Sequence, residues 1–347
     1  KWVIYLKIYM IKEPIILAIE SSCDDTGAAI LRGKKVLTNI IANQKIHSQY
    51  GGVVPELASR AHQQNIIPVV ATAIKMAKIK KEDIDAIAFT KGPGLLGSLI
   101  VGTSFSKSFA LGMDIPIISV NHMQAHILAH FIDDNSTLPT FPFLCLTVSG
   151  GHTQIVKVKS HLDMEIIGST IDDAAGEAFD KSAKILGLPY PGGPLIDKIA
   201  QNGNISAFKF GIPKVKGLDF SFSGLKTSIL YKIQKNLNDN PNFIKENLED
   251  LCASIQYSIV DILIKKLLMA TNQTGIKDIA IAGGVSANSY LRNSLSLLSE
   301  EYNFNIHIPK IEYCTDNAAM IGIAGYYKYI NNKFSDQKVV PSARLSF

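Results

Sequence analysis

Residues 17–31 read LAIESSCDDTGAAIL, and residues 146–158 read LTVSGGHTQIVKV. Each is an apolar run, a turn of small and polar residues, and a second run of strand-forming residues. The downstream patterns of the two copies are also alike. After the first come strand patterns at residues 35–41, 84–90 and 115–120, with helical patterns at 55–78 and 95–111. After the second come strands at 164–169 and 278–282, with helices at 173–186, 195–201, 223–235, 247–273, 288–300 and 317–330. Residue identity between the halves is low, but the shared order predicts two α/β lobes of one architecture facing a cleft. The first lobe is expected over residues 12–120. The second is expected over 121–330, with the last helix free to pack back on the first lobe, and 331–347 is a tail. Asp133, Asp134, Asn135 and Ser136, followed by Pro139 and Pro142, mark the break. A Gly- and Pro-bearing loop at 202–219 is expected to cover the cleft.

A chain of 347 residues that is 47% hydrophobic and 19% charged is globular, not disordered, and long enough for two lobes. Its formal charge of +5 permits a nucleic-acid partner without demanding one. Cys23, Cys145, Cys252 and Cys314 are far apart and form no C-x-x-C pair, which argues against a disulfide framework and fits a reducing cytoplasm. Residues 1–11 are apolar and aromatic but too short to span a bilayer. No small-residue cleavage site comes after them, so they are expected to be an extension without function, with Met10 as the start.

Residues 120–130 read VNHMQAHILAH. His122 and His126 are four apart in a helix-like run, which places both imidazoles on one face, where they can grip one ion. His130 continues the register as a third ligand or as nothing. Asp316, before another helical run, is either a helix N-cap or the carboxylate of a His2Asp site that leaves coordination positions open to substrate. Zinc peptidases carry their general base beside the first histidine in H-E-x-x-H, and here that position is Met123, whose thioether cannot take a proton from water.

Several turns are rich in glycine. Residues 92–97 read GPGLLG, a formal match to G-x-G-x-x-G, but the acid that a dinucleotide fold needs after the next strand is absent, since Asp114 precedes that strand. Residues 149–153 (SGGHT) and 283–288 (GGVSAN) both come after apolar strands, where bare main-chain N–H groups can meet a phosphate. Asp172, Asp173, Glu177 and Asp180 crowd one short stretch. The last three share a helical face on which they could hold ribose hydroxyls, bind an amine or act as a base. Residues 190–194 (YPGGP) form a rigid turn that permits close approach of a ligand. Residues 220–226 (FSFSGLK) read as a capped helix entry.

Ten segments together, at 19–26, 52–56, 92–97, 122–126, 148–153, 176–181, 191–194, 221–226, 283–288 and 315–317, resemble in order those of the bacterial tRNA adenosine threonylcarbamoyltransferase family, of the TsaD/Gcp type. They run from about residue 15 to 328. The resemblance implies the two-lobed fold of actin and the sugar kinases, a duplicated, ribonuclease H-like mixed sheet with helices. It implies transfer of a threonylcarbamoyl group from threonylcarbamoyl-AMP to N6 of adenosine 37 in tRNAs reading codons that start with A, with release of AMP. It implies one metal, Fe2+ or Zn2+, on His122, His126 and Asp316. It implies a substrate site at Thr147, Val148, Ser149, Gly150, Gly151, Asp180, Gly193, Asp197 and Asn288, occupied by threonylcarbamoyl-AMP or ATP. The proton acceptor is not assigned, and Asp24 and Asp25 are candidates. The implied partners are tRNA, a catalytically silent paralogue (TsaB-like) and a small P-loop ATPase (TsaE-like), with no membrane. A small-molecule kinase of the same fold would not need the two histidines. A nucleotide-binding scaffold would be expected to have lost the His2Asp set, which is intact here.

Overall fold

The computed structural model describes residues 13–44, 47 and 50–347, so the expectation for residues 1–11 lies outside the described residues. The first lobe runs β1 (Ile15–Glu20), β2 (Thr26–Arg32), β3 (Lys35–Ala42), α1 (Pro55–Ala77), β4 (Ala86–Gly92), α2 (Leu96–Met113) and β5 (Ile117–Asn121). The chain then forms α3 (His122–Leu128), β6 (Phe143–Val148), β7 (Thr153–Ser160), β8 (Asp163–Ser169), α4 (Ala175–Ile185), α5 (Gly193–Ala200), α6 (Ser223–Asp239), α7 (Phe243–Glu246), α8 (Leu248–Thr274), β9 (Asp278–Ala282), α9 (Ser289–Tyr302), β10 (Asn305–His307) and α10 (Ala318–Ile330).

The strands make two five-stranded sheets, ordered β3-β2-β1-β4-β5 and β8-β7-β6-β9-β10. In both, the first three strands are antiparallel neighbours and the last two add in parallel. The duplication expected from residues 17–31 and 146–158 is therefore present as topology. β1 and β6 are central and buried throughout, because helices cover both faces; apart from Glu20 and Thr147 their side chains read as apolar runs, not as alternation.

Five layers result. Ile15, Leu17 and Ile19 pack under α1 and α2 against Ile66, Val70 and Ala73. Ile16, Ala18, Ala29 and Ala88 face the other way and share a core with Phe143, Cys145, Val156 and Val158 of the second sheet, around α3 and α10. Leu144, Leu146, Val148 and Ile155 point to the far side, under α4, α5, α6, α8 and α9. α10, the last helix, lies against β1, β2, β4 and β5 as well as α3. Small residues allow that approach: a Cβ on Gly322 would strike Leu31, and one on Gly325 would sit 2.6 Å from the Ala88 methyl.

The last residues run along the open edge of the first sheet. Ser335 bridges Ile117, the Ser342 N–H donates to the Lys91 carbonyl, and Asn121 Nδ2 donates to the Ser346 carbonyl. An edge strand so covered has fewer free main-chain groups to pair with another chain. The segment 202–219, expected over a cleft, instead runs along α6 and α8. Asn204 N–H donates to Asp250, Gly211 N–H to Ser228, and Lys266 to the Val215 and Gly217 carbonyls. Among the described residues no helix is long and apolar enough to cross a membrane.

Candidate metal centre and adjoining cavity

β5 ends at Asn121, whose Oδ1 accepts from the Met123 and Gln124 N–H groups and so starts α3. His122 and His126 come next on one face, both buried, their rings 4.7 Å apart and nearly perpendicular. Asp316 arrives from the turn before α10. The cap of α10 is Asn317, whose Oδ1 accepts from Met320 N–H, so Asp316 is not the cap and is free to face the histidines. Its Oδ1 lies 3.2 Å from His126 Nε2 and 3.4 Å from His122 Nε2. Two ligands each about 2.0–2.1 Å from one tetrahedral ion stand roughly 3.3 Å apart, so the donor set fits a single cation. One donor atom from each of the three residues lies within 4.8 Å of the others. His130 does not join them; its Nε2 bonds to the Ile281 carbonyl at 2.8 Å.

Glu20, at the end of β1, completes this arrangement, and sequence reasoning overlooked it. Its carboxylate is fully buried and accepts from Thr90 Oγ1 at 2.6 Å, Ser22 N–H at 2.5 Å and His122 Nδ1 at 3.1 Å. Donation from Nδ1 fixes the His122 ring and leaves the Nε2 lone pair facing a carboxylate oxygen. Two lone pairs at 3.4 Å need a positive charge between them, either a proton or a metal ion. Burial opposes charge on His122, yet Glu20 and Asp316 prevail and hold its pKa well above the usual histidine value. Burial likewise works against Asp316, but His122 and His126 keep its carboxyl below the ordinary carboxylate range. At His126 burial dominates and lowers the pKa, so the imidazole stays neutral, the form that ligates metal. The signal for Glu20 was a carboxylate closing an otherwise apolar central strand.

A cavity of about 370 Å³ adjoins Asp316, reaching it through Thr315. Gly150, Asp180, Gly193, Asp197 and Asn288 line it, with Gly176, Phe179 and Gly284. Thr147 and Val148 are wholly buried in β6 and are not on that wall. Ser149 and Gly151 flank Gly150 in a tight turn, closed by Ser149 N–H on the His152 carbonyl and His152 N–H on Ser149 Oγ.

The glycines here divide into two kinds. A Cβ at Gly176 would press on the Ser149 carbonyl, and one at Gly283, which has φ +88°, would press on the Val148 carbonyl; these two serve close packing. A Cβ at Gly150, Gly151 or Gly284 would meet nothing, so their main chain is open to a ligand. By contrast residues 92–97 pack on the chain itself, Gly94 against the Ser22 carbonyl and Gly92 against the Ser342 carbonyl. That removes the dinucleotide reading of this stretch.

The acidic cluster also separates. Asp172 caps α6 through Ser221 Oγ, Ser223 Oγ and Phe222 N–H. Asp173 and Glu177 both pair with Lys181. Of the four, only Asp180 lines the cavity, accepting from Gly192 and Gly193 N–H, with burial raising its pKa. Asp197 holds Ser289 at the start of α9, and Asn288 caps that helix while donating to Gln256.

Asp24 and Asp25 sit in the turn after β1. His62 and Ser98 secure that turn by bonding the Cys23 carbonyl. Burial, then the charges of Asp24, Asp316 and Glu20, push the Asp25 carboxyl up to about 7. Burial, then the charges of Asp180, Asp24, Cys23 and Asp25, push the Tyr190 hydroxyl up to about 12, so Asp24 and Asp25 lie within electrostatic reach of the Tyr190 turn.

A family model described as tRNA N6-adenosine threonylcarbamoyltransferase (TsaD) matches residues 35–323. Proteins of that name in Christiangramia forsetii and Riemerella anatipestifer are 63% and 61% identical, each over 96% of this chain and 98% of their own. One in Thermosipho africanus is 48% identical over 95% of this chain and 100% of its own. Among solved structures, full-length HypF in a phosphate- and nucleotide-bound form superposes at TM-score 0.60 and 15% identity, over 92% of this chain and 47% of that one. The Acidaminococcus fermentans (R)-2-hydroxyglutaryl-CoA dehydratase component A superposes at 0.51 and 16% identity, over 92% of this chain and 99% of that one. At such identities the last two speak for the two-lobed fold alone.

Proposed function

The chain belongs to the tRNA N6-adenosine threonylcarbamoyltransferase (TsaD) family and is a transferase, and on that premise we propose that it moves the threonylcarbamoyl group from threonylcarbamoyl-AMP to N6 of adenosine 37 in tRNAs reading codons that start with A. The observation that carries the finer reading is the convergence of His122, His126 and Asp316 at single-ion spacing beside a cavity of nucleotide scale. These three residues hold one Fe2+ or Zn2+ ion; the donor set suits both. When bound, the cation supplies Lewis-acid polarisation of a carbonyl or carboxylate oxygen of the donor.

The chain's own groups do the rest. The open N–H groups around Gly150, Gly151 and Gly284 receive the phosphate of the donor, and Asp180, Gly193, Asp197 and Asn288 shape the wall for its nucleoside. The adenine amine is a weak nucleophile because its lone pair is delocalised, so geometry matters more than base strength. Holding both reactants supplies about 7–11 kcal/mol. N6 forms a bond to the carbamoyl carbon, the bond from that carbon to the phosphate oxygen breaks, and AMP leaves with the electron pair. Asp25, half-buried in the turn after β1, accepts the amine proton. The same cavity admits ATP as an alternative nucleotide ligand. The silent paralogue and the small P-loop ATPase act as companions in the cytoplasm, where the four free cysteines stay reduced.

Purified chain, with both companions, threonylcarbamoyl-AMP and unmodified tRNA, should yield the modified nucleoside and equimolar AMP by mass spectrometry. A small-molecule kinase would instead consume ATP with a hydroxyl acceptor and leave the tRNA unchanged.

A further inference from the structure

The positive charge of this chain is concentrated in one place. From residue 201 to the end of α6 at residue 239 there are six lysines, Lys209, Lys214, Lys216, Lys226, Lys232 and Lys235, against two acids, Asp219 and Asp239. That is a net +4 of the formal +5 of the whole chain, so the remainder is close to balanced. The fold gathers most of these lysines. The segment 209–213 lies antiparallel along α6: Lys232 Nζ reaches the Lys209 carbonyl, Gly211 N–H meets Ser228, and Pro213 touches Gly224. Lys266 then ties residues 215–217 to α8. Lys209, Lys214, Lys216 and Lys235 are exposed, and Tyr231 beside them is 67% exposed.

Among the described residues no carboxylate forms an ion pair with the six lysines of this ribbon, Asp250 accepting instead from Asn204 N–H. Asp219 accepts from Ser169 N–H, Asp172 is taken up by the α6 entry, and Asp173 and Glu177 are paired with Lys181. The ribbon also leads to the cavity. The α6 entry is held by Asp172, three residues before α4, and Gly176 in the first turn of α4 packs against the Ser149 carbonyl and Gly150, with Gly150 and Gly176 both on the cavity wall.

We propose that this ribbon and the exposed face of α6 are where the RNA substrate docks, with Lys209, Lys214, Lys216, Lys232 and Lys235 meeting successive phosphates and Tyr231 offering its ring to an unpaired base. The inference rests on the transfer reading above and adds the surface that the acceptor uses. Lysines unpaired with acid release counterions when they meet phosphates, and an exposed aromatic ring among them suits single-stranded RNA, not an acidic protein.

The test is equilibrium binding of an unmodified tRNA transcript to the full chain across a potassium chloride series. The variants are K209Q/K214Q/K216Q, K232Q/K235Q, Y231A and the corresponding lysine-to-arginine changes, with K75Q/K78Q/K81Q on the first lobe as control and thermal melting as the folding check. The first triple variant should bind on the order of tenfold more weakly and flatten the plot of log K against log salt by about 2–3. Arginine should restore both, and the control should match wild type. Unchanged affinity and slope in the lysine variants, with wild type still binding and modifying tRNA, would overturn the docking surface and leave the transfer reading standing. Failure of wild type to bind any RNA would overturn both. Equal losses for polyglutamate in place of tRNA would identify an acidic protein as the occupant and also overturn the proposal.

Discussion

At the scale of single residues the site depends on Glu20 as much as on His122, His126 and Asp316. Its carboxylate accepts a hydrogen bond from His122 Nδ1–H and thereby aims Nε2 at Asp316. Glu20→Gln keeps the shape but removes the charge, and should weaken metal affinity by about 10–100-fold, read by metal titration of stripped protein. His126→Ala should lose metal and transfer together, and normal transfer by a metal-free variant would defeat the metal role. Asp25 makes a prediction in pH. Its folded pKa of about 7 lies above the unfolded value of about 3.9. The folded state therefore binds the extra proton between those values, and stability falls as pH rises through that window. Asp25→Asn should leave stability unchanged near pH 4 and raise it above pH 7. The carboxylate form is the one that accepts a proton, so wild-type transfer should decline as pH drops below about 7. The variant should be slower by about 10²-fold or more, with that decline gone. The largest cause of the shift is burial, which a bound ion leaves in place.

At the scale of elements, α10 sets where Asp316 stands. Gly325 abuts Ala88 on β4, and a larger side chain has no room there. Gly325→Val should cost about 1–3 kcal/mol by denaturant unfolding, and it should also lower metal affinity, because lifting α10 carries Asp316 away from α3. Native stability with intact metal binding would mean that the helix does not set the ligand. Most elements were legible because each apolar run is bounded by Gly, Pro or polar turns, as at residues 283–284 and 187–189. β10 was not, since three residues that pair only with β9 carry no periodicity. The path of residues 202–219 was misread because its bonds are between main chain and side chains distant in sequence, as with Lys266. His122 and His126 were legible from residue type and spacing, whereas Asp316, 190 residues beyond His126, read equally as a helix cap and joined them only through the resemblance. Glu20 was passed over because a lone acid at a strand end usually marks the strand leaving the core, whereas here three donors, one of them a histidine, compensate its burial. Thr147 and Val148 entered the substrate site by resemblance, and burial keeps their side chains in the β6 core.

At the scale of the molecule, the cluster of Glu20, His122, His126 and Asp316 joins parts of the chain that are distant in sequence. Glu20 ends the central strand of one sheet, α3 passes between the sheets, and Asp316 precedes the helix packed against both α3 and the first sheet. Without a cation this core layer holds two buried or half-buried carboxylates around two imidazoles, and a proton on His122 must supply the positive charge. A divalent ion would supply more charge and would tie α3 to the turn before α10. Binding to the folded state alone adds about 2.7 kcal/mol when free metal is about one hundred times its Kd, which for a domain of this size should raise the melting temperature by several degrees. Stripped protein should therefore melt lower than protein refilled with Fe2+ under anaerobic conditions or with Zn2+, and chelator should reverse the gain. Asp316→Ala should melt at the same temperature with and without added metal. An equal rise in that variant would place the stabilising ion elsewhere, and the two lobes would then be held by the α3 and α10 packing alone.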